Sequence, residues 1–196
     1  METIVLASRN RDKIKELRST LAPLGITLKS SYDFPELEEV VEDRPTLKGN
    51  ALKKARYVHG QTGLPALSDD TGLEVEALGG RPGVYSARYA GTSATYQDNV
   101  DKLLEELSGV EDKNRKAQFR TVVALVSEEG VQTFEGVCRG EIVTGQRGDG
   151  GFGYDPVFRP SGYEQTFGEL DAGIKNEISH RAKAIARFYD WLERRA

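Results

Sequence analysis

The sequence has 196 residues, 38% hydrophobic and 30% charged, which places it among globular proteins that fold around a buried core. Its net charge of −4 argues against a general nucleic-acid binder, whose phosphate contacts require a basic excess. A single cysteine, Cys138, excludes an internal disulfide and a thiolate zinc site. We therefore expect Cys138 to be a small buried residue and any metal to be bound by oxygen.

The chain carries no sign of membrane insertion or export. No window approaches the roughly 20 apolar residues that span a bilayer, and the charges that follow the short apolar N-terminal stretch are unlike a secretory signal. We expect a cytoplasmic protein. Because no repeat, low-complexity linker or composition change divides the chain, we predict a single domain over residues 1–196.

The first elements alternate between strand and helix. Residues 3–7 predict a short buried strand, and residues 26–29 predict another extended piece. Between them lies a predicted helix whose apolar residues have helical spacing: Ile14, Leu17 and Leu21. A second helix is expected to open near Thr46. Its apolar stripe is Leu47, Ala51, Ala55 and Val58. A second, polar face, which could line a site, holds Thr46, Asn50 and Lys54.

The rest of the chain predicts longer strands and two more helices. Residues 65–78 are interpreted as a strand that runs into a turn and out again, followed by a Gly/Pro-rich loop, and a third helix is expected from about Thr95 to Leu107. Residues 118–127 and 131–143 predict an antiparallel hairpin, with a glycine-rich loop after it. One closing helix is expected to carry Ile178, Ala182, Ile185, Trp191 and Leu192. These elements predict an α/β fold around a mixed sheet.

The segment LASRNRDK is the first candidate site. It brings Ser8 and Asn10 to the turn before a helix, where backbone N–H groups and the positive end of the helix dipole favour a phosphate. Lys13 adds a mobile cation. The alternative is that Ser8 or Asn10 only caps the helix.

Two adjacent carboxylates, Asp69 and Asp70, form the second signal. They lie in an otherwise apolar strand, and because side chains alternate along a strand they should point to opposite faces. One of them with a second carboxylate could hold Mg²⁺ that also binds substrate phosphates. Glu42 is the candidate for that second ligand, with Glu39 and Asp43 as competitors. The alternative is turn chemistry, in which Asp side chains bond to nearby N–H groups.

The segment GDGGFGYDP contains a formal GxGxxG from Gly148 to Gly153. A dinucleotide fingerprint would open a helix at this point, whereas Pro156 follows almost at once, so that interpretation is disfavoured. Phe152 and Tyr154, on a backbone that glycine makes permissive, could offer a flat face to a base. The alternative is an ordinary loop with a buried Phe.

The segment KNEISHR places Lys175, His180 and Arg181 around the opening of the closing helix. Lys175 could neutralise phosphate, while Arg181 can only donate hydrogen bonds. A donor that faces the 6-position of a purine can donate a hydrogen bond to the carbonyl of hypoxanthine or xanthine but not to the amino group of adenine. The alternative is a solvated basic surface.

These segments, in this order, resemble the inosine triphosphate pyrophosphatase family. The resemblance runs over nearly the whole chain, through LASRNRDKIKEL, TLKGNALKKA, SDDTGLEVEALGGRPGVYSARYAG, GFGYDPVFRPSGYEQTFGEL and KNEISHRAKA. It implies an elongated two-lobed α/β fold around a long twisted mixed β-sheet flanked by helices, with the nucleotide in a cleft between the lobes. It also implies a homodimer that hydrolyses ITP, dITP and XTP to the monophosphate and pyrophosphate with Mg²⁺, or Mn²⁺ in its place, and so cleanses the nucleotide pool.

The resemblance also implies roles for particular residues. Asp70 would be the catalytic proton acceptor and, with Glu42, a metal ligand. The triphosphate would be held by Ser8, Arg9, Asn10, Arg11, Asp12 and Lys13. Further substrate contacts would come from Lys54, Thr71 and Lys175. The base would be held by Phe152, Gly153, Tyr154 and Asp155, and its 6-oxo edge would be read by His180 and Arg181.

One departure concerns the second helix: many bacterial relatives have an acidic residue where this chain has Gly49, so the metal site here would have fewer carboxylates.

Two other functions stay open on the sequence. A Maf-like nucleotide pyrophosphatase is disfavoured because its opening resembles LASxSPRR. A purine-nucleotide-binding module without catalysis would have no use for the SDD carboxylates. A kinase or GTPase is disfavoured because the chain has no GxxxxGK[ST] loop.

Overall fold

A computed structural model describes residues 3–22 and 25–194. Within these residues the chain forms five α-helices and seven β-strands. The strands are β1 (Thr3–Leu6), β2 (Thr27–Ser30), β3 (Ala66–Val75), β4 (Pro82–Gly83), β5 (Lys116–Ser127), β6 (Gly130–Ile142) and β7 (Phe158–Pro160). The helices are α1 (Arg11–Leu21), α2 (Leu47–Thr62), α3 (Tyr96–Glu106), α4 (Ala172–Ile178) and α5 (His180–Glu193).

The strands form one mixed sheet in the order β2-β1-β3-β5-β6-β7, with β4 paired to β3. Strand β1 is parallel to both β2 and β3, whereas the β3–β4 and β6–β7 pairs are antiparallel. The predicted α/β fold around a mixed sheet is therefore confirmed, and β5 and β6 are neighbours as the hairpin prediction requires.

Polar caps fix where the first three helices begin. Asn10 caps α1, Thr46 caps α2 with a bond to the Gly49 N–H, and Thr95 caps α3 in a capping box with Asp98. The predicted starts of the second helix near Thr46 and of the third at about Thr95 are confirmed.

The described residues form two compact units. The first unit comprises residues 3–22, 25–70, 121–136 and 181–194, and the second comprises residues 71–120 and 137–180. In the first unit, the apolar face of α1 packs with Ile4 and Leu6 of β1 and with Ile185 and Phe188 of α5. A second apolar group joins Val58 of α2 to the other face of β1.

The second unit has its own core. Phe119, Phe158 and Phe167 lie at its centre, where the ring centroids of Phe119 and Phe158 are 4.7 Å apart. Leu103 of α3 packs into the same core, and so does Cys138, which is 3% exposed. The prediction of a small buried cysteine is confirmed.

Two predicted elements were wrong. Residues 66–75 form one uninterrupted strand instead of a strand broken by a turn, and there Gly72 lets the backbone of Gly83 approach closely enough to pair. The closing helix is two helices, because Ser179 has an extended backbone (φ −67°, ψ 161°) and ends α4. Ile178 therefore belongs to α4, and the short strands β4 and β7 were not predicted.

None of the helices in the described residues is both long enough and apolar enough to cross a membrane.

Candidate active site

The turn before α1 is organised by the side chains of Ser8 and Asn10. Asn10 Oδ1 accepts hydrogen bonds from the backbone N–H groups of Asp12 (3.0 Å) and Lys13 (3.1 Å), and Ser8 Oγ accepts one from the Asn10 N–H (3.3 Å). The capping interpretation is thus confirmed for Asn10. Two N–H groups of the predicted phosphate cradle are bonded within the chain, so binding of the triphosphate by this segment stays a prediction.

Asp69 lies between two cations. Its Oδ2 accepts hydrogen bonds from Arg181 Nε (3.2 Å) and Nη2 (3.0 Å), and Lys13 Nζ lies 3.4 Å from the same oxygen. Arg181 Nη1 also bonds to Glu16 Oε2. Arg181 is only 1% exposed, so the alternative of a solvated basic surface is wrong for this residue.

Asp70 has a different set of partners. Asn50 Nδ2 donates to Asp70 Oδ2 (3.1 Å), while Lys54 Nζ lies 3.5 Å from Asp70 Oδ1. The same Lys54 ammonium bonds to Glu42 Oε1 and to the Asp69 carbonyl oxygen (2.7 Å). Asn50 and Lys54 are on the predicted polar face of α2, and the structure directs that face to the carboxylates.

We call this group of buried and half-buried polar and charged side chains in the first unit the carboxylate cluster. It consists of Lys13, Glu16, Glu42, Asn50, Lys54, Asp69, Asp70 and Arg181.

The two adjacent aspartates differ in electrostatics. Burial opposes ionisation of Asp69, but Lys13 and Arg181 outweigh it and hold the pKa of that carboxyl well below its ordinary value. Burial raises the pKa of Asp70, and the opposing effect of Lys54 and Lys13 does not cancel the increase. Neighbouring carboxyls with pKa values moved in opposite directions are suited to different tasks: Asp69 to fixing cations and Asp70 to accepting a proton.

Glu42 and Asp70 have the donor chemistry of a magnesium site. Both face the ammonium of Lys54, so the fold already places a cation against these two carboxylates. Burial opposes ionisation of Glu42, yet Lys54 lowers its pKa, which keeps its oxygens available as ligands. The described residues contain no group of three or more His, Cys, Asp or Glu side chains placed to hold a metal. A magnesium ion at these two carboxylates would therefore complete its coordination with water and phosphate oxygens.

The two competitors of Glu42 have other surroundings. Asp43 is exposed and lies 2.8 Å from Lys53 and 3.5 Å from Arg44, and Glu39 is exposed as well. Gly49, the departure in α2, packs closely on Arg44. A Cβ there would lie 2.8 Å from Arg44 Cβ, so a larger side chain would require Arg44 to move.

The second unit holds a separate arrangement around Phe152. Asp155 Oδ2 accepts hydrogen bonds from the Phe152 N–H (2.7 Å) and from Lys175 Nζ (2.7 Å), and the Lys175 ammonium lies 4.8 Å from the Phe152 ring centroid. The ring of Tyr96 contacts Phe152 with centroids 5.9 Å apart. We call Tyr96, Phe152, Asp155 and Lys175 the aromatic cluster.

Glycine permits this geometry. Gly151 has φ 71°, and a Cβ there would collide with the carboxylate of Asp155. The Gly150 N–H donates to the Gly168 carbonyl at 2.9 Å, so this part of the loop is tied to another segment. Only a short 3₁₀ turn, Asp155–Val157, follows. Gly148 and Gly150 of the formal GxGxxG thus serve close packing on Gly168, and no helix opens here as a dinucleotide fingerprint requires.

Tyr154 and His180 are both buried. Tyr154 is 5% exposed, and its hydroxyl donates to the Ser86 carbonyl at 2.8 Å, so Phe152 is the aromatic of that loop with more accessible surface. His180 is 3% exposed and its ring stacks on Phe119, with centroids 4.6 Å apart and an interplanar angle of 21°. The alternative of a solvated surface is wrong for His180 too.

The remaining predicted residues have partners or surroundings of their own. Arg9 donates to the Leu37 carbonyl, Arg11 lies over the Tyr32 ring at 5.6 Å, and Asp12 is exposed. Thr71 follows Asp70 in β3 and is half-buried, and Gly153 has φ 63°.

Sequence reasoning missed Glu16, Tyr96 and Gly151. Glu16 comes three residues after Lys13 in α1, and that spacing alone places both on one face of a helix. Gly151 was visible only as one glycine among several. For Tyr96 the sequence held no signal, because its contact with Phe152 joins residues 56 positions apart.

The carboxylate cluster combines cations, which can bond to phosphate oxygens, with carboxylates, which can hold a divalent ion, on an α/β fold around a mixed sheet. The chain belongs to the Ham1 family, whose model matches residues 4–191.

Similar proteins cover almost the full chain. It is 47% identical to a Flavobacterium johnsoniae protein named dITP/XTP pyrophosphatase, over 96% of this chain and 97% of that one. A Geobacter sulfurreducens protein of the same name is 48% identical, over 98% and 97%. Among solved structures, a Ham1 protein from Coxiella burnetii has a TM-score of 0.89 at 41% identity, over 99% of this chain and 100% of that one.

Proposed function

We propose that this chain is a nucleoside triphosphate pyrophosphatase that hydrolyses ITP, dITP and XTP to the monophosphate and pyrophosphate. The observation that carries the proposal is the carboxylate cluster, where Asp70 is held between Asn50 and Lys54 beside Asp69, which is engaged by Lys13 and Arg181. The names of the similar proteins from Flavobacterium johnsoniae and Geobacter sulfurreducens support the same activity.

In this proposal, Asp70 orients and deprotonates the attacking water. The water oxygen forms a bond to the α-phosphorus, the bond from that phosphorus to the bridging oxygen breaks, and pyrophosphate leaves with the electron pair. The hydrogen bond from Asn50 fixes one oxygen of Asp70, so the carboxylate has a defined orientation toward the water. No covalent intermediate is required.

Cationic side chains stabilise the charge that develops on the leaving group. Lys13 and Lys54 supply positive charge in the carboxylate cluster, and Lys175 supplies it in the aromatic cluster. The segment from Ser8 to Lys13 binds the triphosphate through side-chain donors such as the Ser8 hydroxyl and the Lys13 ammonium. This role is assigned to side chains because Asn10 already occupies two backbone N–H groups.

Glu42 and Asp70 would hold Mg²⁺, with Mn²⁺ as an alternative. When bound, such an ion neutralises phosphate oxygens and so favours both attack and departure of pyrophosphate. The chain keeps both carboxylates ionisable and directs them at a common point, as their shared contact with the Lys54 ammonium indicates.

The base is bound by different groups. Phe152 offers a ring for stacking, and the segment to Asp155 shapes its surroundings. His180 and Arg181 read the 6-oxo edge. Arg181 can recognise a carbonyl but not an amino group, because a guanidinium donates hydrogen bonds and has no acceptor for an N–H.

A panel of nucleoside triphosphates with product identification, with and without Mg²⁺, tests the proposal. We expect cleavage of ITP, dITP and XTP to monophosphate and pyrophosphate, little cleavage of ATP, and loss of activity when EDTA removes the metal. GTP is included in the panel because its base also carries a 6-oxo group, so its turnover measures discrimination that a reader of the 6-position does not supply. Release of single phosphate would contradict attack at the α-phosphorus. Tight ITP binding without turnover would favour a binding module, and cleavage confined to pyrimidine or methylated nucleotides would favour a Maf-like enzyme.

We also propose that the protein acts in the cytoplasm as a homodimer. Sedimentation equilibrium tests the second point, because the mass of one chain is 21.6 kDa. A single species of that mass at micromolar concentration would contradict it.

A further inference from the structure

Tyr96 stands out among the aromatic residues of the second unit. Its ring contacts Phe152 at 5.9 Å between centroids, with an interplanar angle of 39°, yet 43% of the residue remains exposed. A large aromatic side chain that touches another ring and still faces solvent retains surface that a flat ligand can cover. The aromatic cluster therefore presents two rings, not one.

The backbone at Tyr96 is fixed independently of Phe152. The Thr95 N–H donates to Asp98 Oδ2 (2.7 Å) and Thr95 Oγ1 accepts from the Asp98 N–H (3.1 Å), which closes the first turn of α3. Asn99 then ties this turn to the preceding loop: its Oδ1 accepts from the Ala90 N–H (2.8 Å) and its Nδ2 donates to the Ala87 carbonyl (3.2 Å).

Phe152 is fixed from its own side. Asp155 accepts its N–H, and Lys175 lies over its ring. The backbones that carry the two rings are thus each fixed by hydrogen bonds that do not involve the other ring. A preorganised backbone reduces the conformational entropy that is lost when a ligand stacks on the rings.

We propose that Tyr96 is a second aromatic contact for the base and contributes to the preference for purine over pyrimidine nucleotides. This inference rests on the proposed function, in which Phe152 stacks on the base. A purine has two fused rings and extends over both side chains, whereas the single ring of a pyrimidine is covered by Phe152 alone. Stacking is insensitive to the groups on the base, so Tyr96 distinguishes ring number and leaves discrimination at the 6-position to other residues.

The test compares steady-state kinetics of three variants on ITP and XTP. Tyr96→Ala should raise KM about fivefold with kcat unchanged, because a base stack contributes at the low end of its usual range when the ring is partly exposed. Tyr96→Phe keeps the ring and should retain the wild-type KM. The inhibition constant of UTP should be the same in the wild type and in Tyr96→Ala.

Tyr85→Ala is the matched control. Tyr85 is also exposed (57%) and belongs to the same unit, but its ring contacts the Arg88 guanidinium, 5.2 Å from the centroid. It should leave the KM for ITP unchanged. Thermal unfolding of each variant establishes that it is folded, and Tyr96→Ser serves if Tyr96→Ala does not fold.

The outcomes separate this inference from the proposed function. Suppose that the wild type cleaves ITP. If Tyr96→Ala then keeps the KM for ITP within twofold of the wild type, or raises the inhibition constant of UTP as much as the KM for ITP, the role of Tyr96 is overturned and the pyrophosphatase activity stands. If the wild type releases no pyrophosphate from ITP, the proposed function itself fails, and this inference fails with it.

Discussion

Buried charges are compensated differently in the carboxylate cluster and in the aromatic cluster. In the carboxylate cluster, Asp69 faces Lys13 and Arg181, Lys54 is shared between Glu42 and Asp70, and Arg181 is shared between Asp69 and Glu16. In the aromatic cluster, Asp155 and Lys175 form a buried ion pair, and Asp155 also accepts the N–H of Phe152, whose ring lies under the Lys175 ammonium.

This difference has consequences for substitution. Where charges are shared, removal of one leaves the others partly compensated, and the effect should appear in chemistry more than in stability. Where a buried ion pair is broken by removal of one partner, the remaining charge stays buried without its counter-ion, and the effect should appear in folding. Substitutions in the carboxylate cluster should therefore reduce turnover more than stability, and substitutions of the buried ion pair in the aromatic cluster should reduce stability.

The largest effect is expected for Asp70→Asn. Loss of the proton acceptor should reduce kcat for ITP about 100-fold or more. Stability should be retained or slightly increased at neutral pH. Burial raises the pKa of Asp70 in the folded protein, so its ionised form opposes folding as pH rises through that pKa, and an uncharged amide removes the penalty. Steady-state kinetics and urea unfolding measure the two effects.

Asp43→Asn is the control for Asp70→Asn. Asp43 is an exposed carboxylate in the segment that carries Glu42, and it contacts Lys53 at 2.8 Å. It should change neither kcat nor stability measurably. If Asp70→Asn folds normally and keeps wild-type turnover, Asp70 is not the base.

The next largest effect is expected for Lys175→Met, this time on folding. Asp155 would remain buried at 3% exposure without its ammonium partner, and the free energy of unfolding should fall by about 3 kcal/mol. Urea denaturation measures the loss. Lys113→Met breaks an ion pair of similar length in the same unit, 2.7 Å to Glu111, but both side chains are more than half exposed. It should cost less than about 1 kcal/mol; equal losses for the two variants would contradict the distinction between the clusters.

A smaller effect on stability is expected for Gly151→Ala. Gly151 and Gly153 both have positive φ, 71° and 63°, so alanine at either position should cost about 1 kcal/mol in backbone strain. At Gly151 the added methyl also meets the Asp155 carboxylate, whereas no described atom lies within 4 Å of one at Gly153. Gly151→Ala should therefore lose about 1 kcal/mol more than Gly153→Ala in urea unfolding. An equal loss would show that Asp155 moves aside without cost.

Sequence patterns predicted the local elements better than the contacts between them. Helical spacing and capping residues located α1, α2 and α3, because these signals lie within a few residues of each other. The break between α4 and α5 was missed. A single residue with an extended backbone, Ser179, interrupts the helix without changing the spacing of the apolar residues in the sequence.

The candidate site shows the same division. Asp70 and the polar face of α2 could be selected by residue type and position, and the structure brings them together. The pairing of Arg181 with Asp69 and Glu16 could not be predicted, because it joins residues 112 and 165 positions apart. Residue roles taken from the family resemblance stay predictions until variants are measured.

The smallest effect, on Asn10→Ala, decides between the two interpretations of the first motif. Asn10 caps α1 by accepting the N–H groups of Asp12 and Lys13, so its loss should cost about 1 kcal/mol of stability. Thr46→Ala removes the cap of α2, a bond of 3.1 Å to the Gly49 N–H, and should cost about the same. If Asn10 also holds the triphosphate, only Asn10→Ala should raise the KM for ITP, by several-fold. Equal KM values in the two variants, with equal losses in urea unfolding, would leave Asn10 as a helix cap, and the triphosphate would then depend on Lys13 and its cationic neighbours.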